Sequence, residues 1–212
     1  GFMPGISLSN ITPIKKRFTY KINPFYSTNQ KKILGLVNLN YTKYHENKKL
    51  FSTQYFIGGS TFHYKENSSY TTLFPSILFT FRNFDLRSNY REFIRIRYVS
   101  VYKEDNQNIE KYPNYNILNL KYILTNSSAG RGFNMSADIQ INKSFIKNSF
   151  TLNYRNYYRD NRQYNFRIFA GKFLKNSTSD DYFSFSTYKA RDYMFGYNLL
   201  GRTEKSGFYS QQ

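Results

Sequence analysis

Apolar and polar side chains alternate along most of this chain with a period of two residues. The clearest case runs from Phe133 to Ile141, where every second residue is apolar and the residues between them are polar. Successive side chains of a β-strand point to opposite faces, so this alternation predicts a strand with one apolar and one polar face. Helical periodicity is almost absent from the sequence. We therefore expect an all-β chain.

The same alternation recurs in many segments, which are separated by short polar clusters with the composition of hairpin turns. The alternating segments are 18–26, 37–42, 94–98, 118–124, 150–155 and 164–170, with less regular ones at 52–62, 72–82 and 182–189. The polar clusters are 29–32, 46–49, 65–69, 127–131 and 159–162, and 104–113 is a longer connection. Roughly eleven strands follow from this pattern. Hairpins between neighbouring strands predict an antiparallel up-and-down order.

The length of the predicted strands favours a membrane barrel. A strand of about ten residues tilted near 45° rises roughly 23 Å, which matches the apolar band of an outer-membrane barrel. No apolar run of about 18 residues occurs in the sequence, so only strands could cross a bilayer. We expect residues 1–212 to form a single β-barrel region in the bacterial outer membrane, an antiparallel up-and-down transmembrane β-barrel of about 10–12 strands. Within it, 192–212 is expected to be a loop-like segment that precedes closing strands outside this chain.

Aromatic residues make up 20% of the chain, with 22 Tyr, 21 Phe and no Trp. Many of the Tyr residues stand near the ends of predicted strands. A membrane barrel places Tyr at the headgroup level, because one end of its ring is wet. The same rings could instead cap the core of a soluble all-β domain. The expected aromatic girdle comprises Tyr26, Tyr44, Tyr64, Tyr90, Tyr102, Tyr157 and Tyr158.

The formal net charge of +18 would attract nucleic acid or an anionic membrane surface. A biased genome composition can produce the same excess without selection for binding. Interleaved Arg and Tyr extend over the whole chain and form no separate patch, so we expect no nucleic-acid partner. In a barrel the basic residues of the polar faces would line the lumen, either favouring anionic solutes or forming a solvated wall. They are Lys21, Arg95, Arg97, Lys121, Arg155 and Arg167.

No complete catalytic motif is present in the sequence. His45 and Glu46 open like the zinc-binding pattern H-E-x-x-H, but the fifth residue is Lys49 and the segment has the composition of a turn. His63 is the only other histidine, which leaves no His-rich metal site and no Ser/His/Asp arrangement. We expect no catalytic, cofactor-binding or metal-binding residue in this chain.

Segments near both ends carry a more specific resemblance. Residues 1–10, Pro24–Tyr26, 192–195, 199–208 and 211–212 resemble the β-barrel extension that follows M1-family (gluzincin) metallopeptidase domains in Bacteroidota. The resemblance implies a zinc aminopeptidase-like domain upstream, held in the outer membrane by the barrel. Zinc, its ligands and the catalytic Glu would belong to that upstream domain, because this chain contains none of the family's H-E-x-x-H motif. The absence of a terminal aromatic strand adds the expectation that closing strands lie outside this chain.

Three functions remain open from the sequence. The first is a membrane anchor for the upstream peptidase-like domain, with outer-membrane lipid and that domain as partners and no catalysis within this chain. The second is a porin-like channel or transporter with a basic lumen. The third is a soluble all-β binding module, in which the alternation is read with its apolar face inside.

Overall fold

The computed structural model of the chain describes residues 2–29, 31–46, 49–65, 68–83, 85, 87–103, 114–128, 130–158, 162–178, 183 and 185. The side chains of Tyr64, Lys65 and Ser68 lie outside that description. Ten β-strands form one sheet within these residues. They are β1 (Leu8–Ser9), β2 (Phe18–Ser27), β3 (Lys32–Tyr44), β4 (Leu50–Lys65), β5 (Ser68–Phe81), β6 (Tyr90–Lys103), β7 (Tyr115–Asn126), β8 (Arg131–Ile141), β9 (Phe145–Tyr158) and β10 (Arg162–Asn176).

The strands follow one another in the sheet in the order of the sequence, and each is antiparallel to its neighbours. The predicted all-β class, up-and-down order and antiparallel pairing are therefore confirmed. Within the described residues β1 and β10 are the two edges of the sheet and do not pair with each other. The described sheet is open, so it does not establish the closed barrel that we expect.

The register of the sheet separates two faces. Opposed residues of an antiparallel pair share a face, and the next residue along each strand lies on the other. Lys121 is opposed to Asp138, while its neighbour Leu120 is opposed to Ile139. We call the face of Lys121 and Asp138 the inner face and the face of Leu120 and Ile139 the outer face. The two ends of the sheet are named after β7, whose ends are Tyr115 and Asn126.

The first edge of the sheet was not predicted from the alternation. Leu8 of β1 pairs with Ile22 of β2, and Gly5 forms a bridge to Phe25. The backbone N–H of Tyr26 donates to the Pro4 carbonyl at 2.8 Å, so the segment before β1 continues along β2. Backbone hydrogen bonds hold this segment, and its side chains are exposed on either side. No apolar and polar alternation therefore marks it as a strand in the sequence.

Two prolines lie inside strands, where a missing N–H normally interrupts the pairing. Pro75 is in β5, and the pairing between β5 and β6 is interrupted at Phe74 and Pro75. Pro24 in β2 is opposed to Gly35, which has a φ of 147°. A Cβ at Gly35 would overlap the carbonyl oxygen of Asn23, so this close approach of β2 and β3 requires glycine.

Several expectations fall on parts of the chain that the structure does not describe. The longer connection 104–113 and the loop-like segment 192–212 lie outside the described residues. The less regular segment 182–189 does so as well, except for Phe183 and Phe185. Neither of these two residues is in a strand, and both contact the inner face of the sheet.

Candidate functional site on the inner face

Burial in the middle of the sheet is the reverse of that in a water-soluble protein. In β7, Leu118 and Leu120 are 42% and 43% exposed, whereas Asn119 between them is fully buried. In β8, Ile139 and Ile141 are exposed on the outer face, whereas Gln140 between them is fully buried. In these strands polar side chains are thus buried on the inner face, and apolar side chains are exposed on the outer face.

The six basic residues that the sequence suggested for a lumen all lie on the inner face. Lys21 is opposed to Asn38 in β3, and it is exposed. Arg155 and Arg167 lie on β9 and β10, toward the Asn126 end. The remaining three stand together in the middle of two adjacent strands, with Arg95 and Arg97 on β6 and Lys121 on β7. The structure therefore brings half of the predicted set into one cluster.

Asp138 on β8 is the carboxylate of this cluster in the part of the chain that the structure describes. Its Oδ1 accepts a hydrogen bond from Asn119 Nδ2 at 2.8 Å, and its Oδ2 is 3.9 Å from Lys121 Nζ. Gln140 also hydrogen-bonds to Asp138, and Arg95 and Arg97 interact with it electrostatically. Asp138 itself is almost completely buried. We call Arg95, Arg97, Asn119, Lys121, Asp138 and Gln140 the charged band.

Acidic side chains are scarce on the described strands, which hold Glu92 and Asp138 as their two carboxylates. Glu92 is opposed to Leu124 on the outer face, where its Oε1 accepts a hydrogen bond from the Tyr122 hydroxyl at 3.1 Å. On the described inner face, Asp138 is thus the sole carboxylate among the basic residues. The basic side chains of the described inner face therefore outnumber its acidic ones.

The inner face turns apolar toward the Tyr115 end. Buried aromatic and aliphatic side chains from β5, β6, β7 and β9 pack there around Phe183, which lies beyond β10. The ring centroid of Phe183 is 4.7 Å from that of Phe145 and 5.3 Å from that of Tyr115. This apolar plug consists of Tyr70, Val99, Val101, Tyr115, Ile117, Phe145 and Phe183, with Phe74 and Phe173 packed against it.

A buried lysine joins the apolar plug to the charged band. Lys147 on β9 is opposed to Gln140 of the band, and its Nζ donates a hydrogen bond to the Phe183 carbonyl at 2.8 Å. The same ammonium lies 5.5 Å from the ring centroid of Phe145 and 5.2 Å from that of Phe185. Aromatic faces attract a cation at these distances. Lys147 therefore holds Phe183 and Phe185 against the inner face.

Phe185 completes this contact over β10. Its ring packs against those of Phe169 and Phe173, with centroid distances of 5.7 and 5.3 Å. A Cβ at Gly171 would lie only 2.9 to 3.1 Å from three ring carbons of Phe185. The lack of a side chain at Gly171 thus makes room for the Phe185 ring.

The predicted tyrosine girdle divides between the two faces. Tyr26 and Tyr102 are exposed on the outer face near the Tyr115 end, and Tyr90 and Tyr158 are exposed on it near the Asn126 end. The other two described tyrosines, Tyr44 and Tyr157, share the register of the inner face. Tyr157 contacts Arg155 there, with the guanidinium 5.2 Å from its ring centroid. The side chain of Tyr64 lies outside the described residues.

The outer face carries further rings toward the Asn126 end that the girdle prediction did not include. Ring contacts join some of them across strands. Tyr41 on β3 and Tyr55 on adjacent β4 have ring centroids 6.3 Å apart, and Tyr90 on β6 and Phe133 on β8 meet at 5.7 Å across β7. Counting only rings at strand ends missed them, although the alternation had already placed them among apolar residues. They are Phe18, Tyr41, Tyr55, Phe133, Tyr154 and Tyr164.

Asp138 and Lys147 were not singled out from the sequence as site residues. Asp138 was visible as the one acidic residue within a strongly alternating strand, which is a signal for a partner on a basic face. Lys147 precedes the segment 150–155 in which the alternation was recognised, so its place on the inner face emerges only from the register of β9.

Comparisons with known proteins give no further assignment. No family model, no curated protein and no solved structure matches this chain. Among the described residues, no group of three or more His, Asp or Glu side chains is placed to hold a metal ion. The same part of the chain contains no helix long and apolar enough to cross a membrane.

Proposed function

We propose that this chain is the membrane-embedded part of an outer-membrane β-barrel, and that it anchors an upstream zinc aminopeptidase-like domain. The observation that carries the membrane proposal is the reversed burial, with apolar side chains exposed on the outer face and polar ones buried on the inner face. A monomeric soluble protein rarely exposes a contiguous apolar patch larger than a few hundred Å². Here the exposed apolar face continues from strand to strand. Such a face is suited to contact with lipid.

Strand length supports the same proposal. The strands β2 to β10 contain 10 to 16 residues, compared with about five or six in most sheets. At about 3.3 Å per residue and a tilt near 45°, even the shortest spans roughly 23 Å. The exposed tyrosines of the outer face lie near both ends of the strands, where a barrel meets the two headgroup layers.

The inner face favours an anchor over a channel. The apolar plug fills its Tyr115 end with buried side chains, and Lys147 Nζ donates a hydrogen bond to the carbonyl of Phe183 in that plug. A water-filled pore needs a polar wall along its whole length. A basic channel remains the second candidate, because all six basic residues predicted for the lumen share this face. Ion conductance distinguishes the two.

The link to a peptidase rests on the resemblance of the terminal segments to barrel extensions of M1-family metallopeptidases. In that arrangement zinc and the catalytic Glu belong to the upstream domain, and this chain anchors that domain at the membrane. The test is aminopeptidase activity of the natural protein, with and without the barrel region. We expect the activity to persist without the barrel and to move from the membrane to the soluble fraction.

The membrane proposal is tested by vesicle flotation of the natural protein followed by extraction with alkaline carbonate. We expect the protein to float with the vesicles and to resist extraction. Recovery of folded protein from the aqueous phase without detergent would instead favour the soluble binding module. Planar-bilayer recordings complete the test, since an anchor is electrically silent and steady ion conductance would support the channel.

A further inference from the structure

We infer that a groove in the outer face across β8, β9 and β10 binds one phospholipid molecule of the surrounding membrane leaflet. The groove has a volume of about 370 Å³, within the range of about 300–1,000 Å³ for ligand sites. A row of side chains that includes two alanines forms it. Ala137 on β8 and Ala170 on β10 are each opposed to Phe150 on β9. We call these three residues the alanine row, and its methyl groups leave space on both sides of the Phe150 ring.

The neighbouring residues give the groove a wall and a floor. The wall toward the Tyr115 end is the next row of the outer face, which consists of Ile139, Asn148 and Lys172. The residues between the two rows share the register of the inner face, so the backbone forms the floor. They are Asp138, Ser149 and Gly171. The groove therefore opens to the outer face.

Two polar side chains interrupt the apolar surface at one side of the groove. Asn148 on β9 is opposed to Lys172 on β10, and both lie on the outer face. Asn148 is the fourth residue of β9, so a tilt near 45° places the pair roughly 7 Å from the Tyr115 end of the sheet. A barrel accepts a charged lipid-facing side chain more readily at this depth than at the midplane. The stem of Lys172 can lie along the apolar surface while its ammonium reaches the headgroup layer.

This arrangement matches the two parts of a phospholipid. The ammonium of Lys172 and the amide of Asn148 are donors for the phosphate and ester oxygens of the headgroup region. The alanine row lies one step deeper in the apolar band, at the level of an acyl chain. Larger side chains follow beyond it and confine the groove to this level, and they are Met135, Leu152 and Ile168. The choice of a membrane lipid rests on the proposed membrane placement, because the groove is continuous with the outer face.

The test is native mass spectrometry of the natural protein in a neutral detergent, titrated with dioleoyl phosphatidylglycerol. We expect one saturable lipid molecule per protein. Ala170→Phe fills the groove and Lys172→Gln removes the charged contact to the phosphate, so each should weaken binding about tenfold or more. Ile168→Phe is the control for Ala170→Phe, because it adds a ring to the same face of the same strand. Lys43→Gln is the control for charge, because Lys43 lies on the outer face at the Asn126 end. Neither control should change the affinity.

Each variant is first shown to float with vesicles as the wild-type protein does. Three results would then overturn the site. They are binding without saturation in the wild-type protein, equal affinities of Ala170→Phe and Ile168→Phe, and equal affinities of Lys172→Gln and Lys43→Gln. Dimers that replace the lipid-bound monomer in the same spectra would assign the groove to a second copy of the chain and overturn the lipid site as well. A wild-type protein that floats with vesicles yet binds no lipid saturably would contradict this inference alone, whereas one that stays in the aqueous phase would also contradict the proposed membrane placement.

Discussion

Strands β7 and β8 present two faces of opposite character, built from neighbouring residues of the same strands. On the outer face Leu118, Leu120 and Ile139 are exposed, while on the inner face Asn119 and Gln140 are fully buried. Burial follows the face and not the polarity of the side chain. In water this arrangement would forgo the burial of apolar area that drives folding. On our proposal an apolar medium covers the outer face, and polar contacts and the apolar plug hold the inner face together.

Phe183→Ala should have the largest effect, because it removes the centre of the apolar plug. Loss of a buried Phe ring lowers the free energy of unfolding by about 3–5 kcal/mol. Phe166→Ala is the control, since that ring lies on the outer face and is more than half exposed. We expect a clearly smaller loss there. Denaturant titration in detergent, followed by circular dichroism, measures both. Equal losses would mean that the plug does not stabilise the inner face.

Arginine substitutions at adjacent residues of β9 test the difference between the two faces. Phe150 is on the outer face and Thr151 on the inner face, opposed to Ala137 and Ser136. An arginine near the midplane of a lipid-facing surface costs roughly 2–4 kcal/mol. We expect Phe150→Arg to lower the stability of the vesicle-inserted protein by that amount, and Thr151→Arg to lower it less. In a soluble domain the exposed Phe150 position would accept arginine with a change within about 0.5 kcal/mol.

Asp138→Asn tests how far charge pairing stabilises the inner face. The substitution keeps an acceptor for Asn119 but leaves Arg95 and Lys121 without their carboxylate, so we expect a loss of about 1–3 kcal/mol. Removing a cation at the same time should recover part of this loss. The double variant Asp138→Asn with Lys121→Met is therefore expected to be more stable than the sum of the single changes. Strict additivity in denaturant titrations would show that the two side chains do not interact.

The smallest expected effect comes from filling space beneath Phe185. In Gly171→Ala the new methyl group would lie 2.9 Å from the nearest carbon of the Phe185 ring, so the ring would have to shift. We expect a loss of about 1 kcal/mol, as for mild overpacking. Gly130→Ala is the control, because a Cβ there has no atom within 4 Å. If both glycines tolerate alanine equally in thermal unfolding, Phe185 does not pack on β10.

Much of the fold could be predicted because alternation and register depend on the same period of two. The apolar residues from Phe133 to Ile141 lie on the outer face together, as the sequence indicated. The basic residues predicted for a lumen lie on the inner face. The strands β2 to β10 and their antiparallel order required only the alternation and the turn clusters between them, whereas β1 was not predicted. Side-chain pattern is a reliable guide here because nearly every strand has one apolar face.

Other features could not be read from a pattern of neighbours. The plug depends on Phe183, which is 38 residues from Phe145 in the chain and is not in a strand. The segment around Pro4 and Ile6 pairs with β2 through backbone atoms, so the side-chain pattern of the sequence does not reveal this pairing. Tyr44 and Tyr157 lie near strand ends like the other girdle residues, but the register of their strands places them on the inner face. Alternation also does not tell which face is buried, and this requires the three-dimensional packing.

The central claim is that lipid covers the outer face, and it is tested most directly at two adjacent residues of β10. Phe166 lies on the outer face and Asn165 on the inner face, and both are exposed. The chain has no cysteine, so Phe166→Cys and Asn165→Cys each carry one fluorescent label in the vesicle-inserted protein. We predict strong quenching by brominated lipid at 166 and little at 165. Equal quenching at both positions, or none at either, would contradict the claim.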